Sequence, residues 1–342
     1  MISYDSSSER KMQEERAERP LLSFVIPCYR SEQSIEQVVA RIIETVRKDG
    51  RYDYEIICVN DYSPDNTISV LQRLADENKL ITVVDLMRNF GQHAALMAGF
   101  GFVNGDVVVC LDDDGQTPPE EMFKLIDKLN EGFDLVSARY PVKKESLFRR
   151  AGSWTASRMG EIMEGKPKNI EMNSYFAVRR IVVDEIVKYP NPYPNVQGLI
   201  LRATRKISDV EINHHERLNG SSGYTLRKLV GLWMNCFTSF SEKPLRLSSI
   251  LGFISALAGF VFGIIVIVRK IMHPDIILGY SSIMAVMLIM FGIVLLMLGL
   301  LGEYIGRMFI CINRAPQYVI RSVRNEHKRE DIQFEADAKA RN

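Results

Sequence analysis

The chain has 342 residues, 43 Lys and Arg against 42 Asp and Glu, and 46% hydrophobic residues. That length accommodates two or three domains with a sizeable buried core, and the composition excludes a disordered, collagen-like or disulfide-rich chain. A net charge of +1 gives no global support for nucleic-acid binding.

Residues 1–20 are polar and mixed in charge, without the apolar core of a signal peptide. Residues 21–138 then alternate between two periods. Short apolar, β-branched runs at 21–26, 55–59, 80–86, 106–111 and 133–138 read as strands buried on both faces. Between them, Ile35, Val38, Val39, Ile42, Ile43 and Val46 form one helical stripe, with Ser34 and Gln37 spaced as a capping box. Residues 67–78, 92–103 and 119–131 fill the later gaps as helices. The alternation predicts a doubly wound, mostly parallel α/β sheet, whose ligands sit beyond the carboxyl ends of the strands. Gly99-Phe-Gly101 falls at a helix end, so it is not a dinucleotide fingerprint, and there is no Walker A sequence.

Three strand ends are polar: Pro27-Cys28-Tyr29-Arg30, Asn60-Asp61-Tyr62-Ser63-Pro64-Asp65 and Asp112-Asp113-Asp114-Gly115-Gln116. If the chain stays extended past the fourth strand, Asp112, Asp114 and Gln116 share one side and Asp113 takes the other. Two carboxylates and an amide oxygen are hard donors suited to Mg²⁺ or Mn²⁺, with coordination positions left for water and a diphosphate. The bland alternative is a solvated turn with an Asp cap. For Asp61 and Asp65, ordinary turn chemistry is as good a reading as a ligand contact.

Farther on, residues 139–180 hold ten Lys and Arg against four Glu. Leu147, Phe148, Ala151, Trp154, Met159, Ile162 and Met163 approximate an apolar stripe there, and Leu226, Leu229, Val230, Trp233, Phe237 and Phe240 form a second. Basic residues beside Trp and Phe suggest helices lying against anionic lipid. Residues 248–268 and 276–302 carry no charge. As helices they would be roughly 31 and 40 Å long, enough to span a bilayer core of about 30 Å. Lys243 and Arg246 before them, and Arg307, Arg314, Arg321 and Arg324 after, keep both flanks on the cytoplasmic side by the positive-inside rule. Cys28, Cys58, Cys110, Cys236 and Cys311 lack metal or disulfide spacing, and the first three read as reduced core residues.

The ordered set Phe24-Val-Ile-Pro27-Cys-Tyr29, Val59-Asn-Asp61-Tyr-Ser63-Pro-Asp65-Asn-Thr67, Arg88-Asn89-Phe-Gly91-Gln-His93 and Asp112-Asp-Asp114-Gly-Gln116-Thr-Pro118-Pro119-Glu120 resembles family 2 glycosyltransferases of the GT-A fold. Arg217-Leu-Asn-Gly220-Ser-Ser222-Gly-Tyr224 and Phe240-Ser-Glu-Lys-Pro244-Leu-Arg246 extend the likeness to polyprenyl-phosphate glycosyltransferases, over roughly residues 21 to 305. The resemblance implies a GT-A catalytic domain at 21–223, a juxtamembrane segment at 224–247, two transmembrane helices within 248–302 and a basic cytoplasmic tail at 303–342. It implies an inner-membrane, multi-pass enzyme that moves one sugar from a UDP-sugar to undecaprenyl phosphate, with inversion, for cell-envelope glycan. Pro27, Tyr29, Asn60, Asp61, Arg88 and Asp112 would bind the nucleotide sugar, with Asp61 reading the uracil N–H. Asp112, Asp114 and Gln116 would hold the metal, with Asp112, Asp114 and Arg139 as the catalytic set. Arg139, Arg217, Ser222 and Tyr224 would meet donor and acceptor phosphates.

The sequence departs from the family pattern at Asn60, Gly115 and Thr117, and residues 173–180 lack the usual Asp, so no catalytic base is carried over there. Arg179 and Arg180 fit either the neighbourhood of the acceptor or a solvated helix face. A lipid phosphate, largely anionic at cytoplasmic pH, needs no strong base to act as nucleophile. A silent assembly subunit of the same fold and a synthase using another acceptor are the alternatives. Gly252, Gly259 and Gly263 on the first apolar helix would suit self-association.

Overall fold

The computed structural model describes residues 19–140, 170–213, 243–272 and 280–326. The chain divides into two compact units, one of Met1–Ser222 with Pro316–Asn342 and one of Gly223–Ala315.

In the first unit, β1 (Leu21–Cys28), β2 (Asp53–Asn60) and β3 (Ile81–Leu86) are buried almost throughout. Helices cover both faces of such strands, which is why their sequences run apolar without alternation. They are followed in turn by α1 (Ile35–Asp49), α2 (Thr67–Glu77) and α3 (Gln92–Phe100). Strand β4 (Val107–Cys110) leads through a 3₁₀ turn at Pro119–Glu121 into α4 (Met122–Asn130) and β5 (Leu135–Arg139). β1 pairs in parallel with β2 on one side and β4 on the other, and β2 pairs with β3. The chain therefore winds outward from β1 in both directions, and the crevice where it divides opens between the ends of β1 and β4.

The predicted capping box is absent. Ser34 makes no side-chain cap, and the first turn of α1 closes on the carbonyl of Ser31, which accepts from Ser34 N at 3.1 Å and Ile35 N at 3.0 Å. Ser34 has helical backbone angles, so its hydroxyl turns back to the same carbonyl instead of forward to the helix N–H groups.

Past residue 170 the sheet gains elements the alternation does not announce. β6 (Phe176–Arg179) inserts antiparallel between β4 and β5, and β7 (Ile207–Glu211) runs parallel to β5. Two short helices, α5 (Arg180–Ile186) and α6 (Val196–Ala203), lie between them. Arg179 is taken up structurally: its guanidinium donates to the carbonyls of Phe133 (2.9 Å) and Leu129 (3.1 Å), closing the C-terminal end of α4. Arg180 pairs one turn along with Asp184 at 2.6 Å. Arg179 thus serves the fold, and Arg180 lies on a partly exposed helix face.

The second unit contains α7 (Lys243–Met272) and α8 (Tyr280–Ile312). Phe253, Phe260, Phe291 and Leu295 are among their exposed apolar side chains. By length and composition Ile289–Ile312 suffices to cross a membrane, and Gly252–Ile265 is a shorter apolar stretch. A Cβ on Gly252 would stand 3.6 Å from Met297 Cε, so this glycine faces the sister helix.

Beyond residue 302, where the second uncharged run ends, the chain is still helical. α8 runs on to Ile312, and β8 (Ile320–Arg324) then joins the sheet antiparallel to β3. The eight strands of the described sheet lie in the order β7-β5-β6-β4-β1-β2-β3-β8. A strand this short and basic carries little apolar signal: Arg321, Ser322 and Arg324 are exposed, and only Ile320 and Val323 are partly covered.

Helix α3 is buried on nearly all sides, and Gly99 sets how closely it approaches the sheet. A Cβ there would lie 2.6 Å from Val25 Cγ1 and 3.0 Å from Val59 Cγ2. Alanine is the better helix former by about 1 kcal/mol, but overpacking a core costs about 1–3 kcal/mol, so packing decides the sign. Gly99→Ala is therefore expected to lower the thermal midpoint of the detergent-solubilised protein; an unchanged or higher midpoint would contradict this packing.

Candidate active site

The crevice is framed by three loops that follow β1, β2 and β4. Asp113 joins two of them: its Oδ2 accepts from Tyr29 N at 2.9 Å. Burial pushes the Asp113 carboxyl up to about 6, opposed by the Tyr29 N–H and Ser31 hydroxyl and reinforced by the charges of Asp112 and Asp114. The first loop is fastened to the second as well. Ser63 Oγ accepts from Arg30 N at 2.7 Å, and Thr67 Oγ1 accepts from Ser31 N at 3.0 Å. Asp65 sits beneath this junction, taking the Ser63 hydroxyl and, at 2.6 Å, that of Thr67. Against the penalty of burial, those donors hold its carboxyl below the ordinary range. Asp65 is thus the turn residue of the two readings open for it.

Asp61 closes the third corner. Its two carboxylate oxygens accept from Phe90 N at 2.7 Å and Gly91 N at 2.8 Å, at the start of α3. A carboxylate suits the positive end of a helix. Gly91, at φ 90°, adopts a backbone angle there that a side chain would resist. Burial raises the Asp61 carboxyl, and the two N–H donors pull it back. Asn60 beside it donates from Nδ2 to Asp85 Oδ1 at 2.7 Å and accepts from Ser63 N at 3.2 Å. Its amide does what a carboxylate could not, since a second negative charge against Asp85 would repel.

Pro27 is buried at the end of β1, whereas Tyr29 is exposed with Arg30 over its ring at 5.6 Å. Arg88 is exposed and stacks on Phe90 at 4.6 Å. Arg30 and Tyr62 both take positive φ, 59° and 53°. Such angles in non-glycine residues are costly and cluster where loops are held for binding.

The chain does not stay extended beyond β4, which corrects the geometry inferred from alternation. It turns at Asp113 and Asp114, and Gly115 takes φ 75°. Asp114 Oδ1 accepts from Gln116 N at 3.0 Å, so backbone curvature, not strand pleat, arranges these residues. Asp112 is oriented from both sides. Its Oδ1 accepts from Gln92 Nε2 at 3.0 Å, and its Oδ2 from the Ser174 hydroxyl. Asp112 and Asp114 both act on the Tyr140 phenol: burial raises its pKa most, and the two carboxylates raise it further.

No group of three or more His, Cys, Asp or Glu able to hold a metal occurs among the described residues. The local donor set is the leaner one: carboxylate oxygens of Asp112 and Asp114, with Gln116 adjoining. That fits a divalent ion completing its shell with water and phosphate oxygens. Arg139, at the end of β5, faces Asp209 at 3.6 Å and Glu211 at 3.8 Å on β7. Arg217, Ser222, Tyr224 and both expected interfacial stripes lie outside the described residues. Gln92, Ser174 and Tyr140 were not singled out from sequence. Gln92 stands within the Arg88–His93 motif, but only the placement of β6 beside β4 brings Ser174 to Asp112.

Residues 23–187 match the family described as Glycosyl transferase family 2, and residues 243–308 match the GtrB C-terminal hairpin. An undecaprenyl-phosphate 4-deoxy-4-formamido-L-arabinose transferase of Proteus mirabilis is 35% identical, over 88% of this chain and 93% of that one. The uncharacterized glycosyltransferase YkcC of Bacillus subtilis is 34% identical, over 90% and 95%. Among solved structures, Mycobacterium tuberculosis glucosyl-3-phosphoglycerate synthase with Mn²⁺, UDP-glucose and phosphoglyceric acid is 20% identical. Its TM-score is 0.46, covering 69% of this chain and 86% of that one.

His93, in the first turn of α3, is buried, and burial lowers its pKa; Nδ1 accepts from Val196 N at 3.4 Å. Below the unfolded value of about 6.5, the unfolded chain binds a proton that the folded one resists, so stability falls as pH drops through that value. Replacing His93 by Gln should flatten the loss of thermal stability between pH 7.5 and 5.5; an identical pH profile would contradict a neutral, buried imidazole.

Proposed function

The chain belongs to glycosyl transferase family 2, and we propose that it transfers one sugar from a UDP-sugar to a polyprenyl phosphate of the undecaprenyl type at the cytoplasmic face of a membrane. The observation that carries the reading is the pairing of two crevice walls with different chemistry. One wall, around Asp61, Tyr29 and Arg88, has the aromatic and acceptor groups that suit a nucleoside. The other presents Asp112 and Asp114 where a diphosphate would lie. Relatives that align along nearly the whole chain are undecaprenyl-phosphate sugar transferases by name, which supports this acceptor class.

Asp61 already spends one lone pair of each oxygen on the start of α3. A carboxylate offers about four acceptor positions, so it can still receive the uracil N–H while the loop stays fixed. Gln92 and Ser174 hold Asp112 in one orientation before donor arrives, so little reorganisation is needed at the moment of transfer. A divalent ion held by Asp112, Asp114 and Gln116 would neutralise the diphosphate as it departs. The lipid-phosphate oxygen attacks the anomeric carbon from the opposite face, the bond to UDP breaks, and the configuration inverts. Arg139, Arg217, Ser222 and Tyr224 are the proposed phosphate contacts. No general base is required, because the nucleophile is already anionic.

The proposed membrane anchor is the pair α7 and α8. At ~1.5 Å per residue both exceed the bilayer core, and their outward apolar side chains suit lipid. Both flanks would then be cytoplasmic, in keeping with the basic residues at either end.

Purified protein with Mn²⁺ or Mg²⁺, undecaprenyl phosphate and a panel of UDP-sugars should release UDP and yield a lipid one sugar heavier. A polymer, or no turnover with any donor, would overturn the proposal. Asp114→Ala should lower turnover by roughly 10²-fold or more, the scale of losing one preorganised electrostatic contact. Near-normal turnover in that variant would remove Asp114 from the metal site.

A further inference from the structure

The last strand of the sheet reaches the crevice from an unexpected direction. β8 pairs with β3 through Val83↔Arg324, Val84↔Val323 and Asp85↔Ser322, then slips to Leu86↔Ile320. Arg321 is the residue left over at this bulge. Bulges re-aim a side chain that regular pairing would send elsewhere, and they recur beside functional sites. Here the guanidinium lies over the Tyr62 ring at 5.4 Å, donates to the carbonyl of Met87 at 3.4 Å and stands 3.8 Å from Asp85 Oδ2.

Two of these contacts bear on the loop after β2. Tyr62 directly follows Asp61 and holds a left-handed backbone angle. Asp85 grips Asn60, which in turn receives Ser63 N. A planar guanidinium can cover an aromatic face and attract a carboxylate at once, which a lysine does less well. The strand carrying it is itself well fastened. Thr82 Oγ1 donates to Asn325 O at 2.6 Å, Asn325 Nδ2 donates to Ala75 O at 2.6 Å, and Gln317 Nε2 donates to Asn191 O at 2.9 Å.

We propose that Arg321 is a positioning residue for the nucleotide loop Asn60–Asp65, which makes the C-terminal strand a working part of the donor site. The inference rests on the reading of that crevice as a UDP-sugar site. Arg321 holds the loop from outside, through Tyr62 and Asp85, and touches no reacting atom.

The test is UDP binding by the full-length protein in detergent with Mn²⁺, measured calorimetrically alongside thermal melting and donor kinetics. Arg321→Ala and Tyr62→Ala should each weaken UDP binding about three- to tenfold, the range of one partly exposed cation–π contact. KM for the donor should rise by a similar factor while kcat stays within about twofold. The double variant should lose less than the two single losses combined, because both remove the Arg321–Tyr62 contact. Arg321→Lys should recover part of the loss, and Ser322→Ala, on the same strand, should bind as wild type does. Wild-type affinity in Arg321→Ala, or a loss shared equally by Ser322→Ala, would overturn the proposal while leaving the donor reading intact. Failure of the wild-type protein to bind UDP would overturn both.

Discussion

A single hydrogen bond sets the spacing of the crevice: the N–H of Tyr29, just past β1, held by the carboxylate of Asp113, just past β4. These are the two strands between which the winding of the sheet changes direction, so no crossover connects their ends. Without a direct link the two loops would be free to splay. Asp113 spans the gap and is buried in doing so, which is the origin of its raised pKa. Its neighbours Asp112 and Asp114 flank it in a run of three partly buried acids whose middle member is already committed to the backbone.

The acids at the strand ends divide their work by direction. Asp61 and Asp113 spend oxygens on backbone N–H groups and fix loops, while Asp65 braces its own turn and Asp85, on β3, holds Asn60 at the end of β2. The charges of Asp112 and Asp114 add to the rise that burial gives the Tyr140 phenol, and Asp112 is steadied by Gln92 and Ser174. The proposed reaction would bring a negatively charged donor beside a negatively charged acceptor. Acids whose charge is absorbed internally would add little to that repulsion, so Asp112 and Asp114 are the pair that a cation would have to offset. The near balance of 43 basic and 42 acidic residues conceals this local economy of charge.

The β-strand and helix alternation of residues 21–138 is legible because each strand is buried on both faces and each helix on one, which imposes two distinct periods. The strand ends holding Asp61 and Asp112 follow from that frame directly. The turn at Asp113–Gly115 does not, since extrapolating a pleat assumes backbone angles that Gly115 abandons. β6 is apolar but four residues long, too short to show a period, and Ser174 gains its meaning only from a contact across 62 positions of sequence. β8 is hidden for another reason. As an edge strand it buries little, and its arginines read equally well as a charged flank to the apolar helix before it. Family resemblance reached Asp61 but not Arg321, which meets that loop through Tyr62 and Asp85 and lies outside the motifs that carry the resemblance.

The position of β8 in the chain governs the order in which the enzyme can be finished. Ribosomes deliver β3 about 240 residues before its last neighbour, and both long apolar helices are made in between. During that interval the β3 edge presents unpaired N–H and C=O groups, a template for pairing with other chains. The edge stays open until both long helices have been made, and a product truncated after Ile312 would lack the strand that covers it.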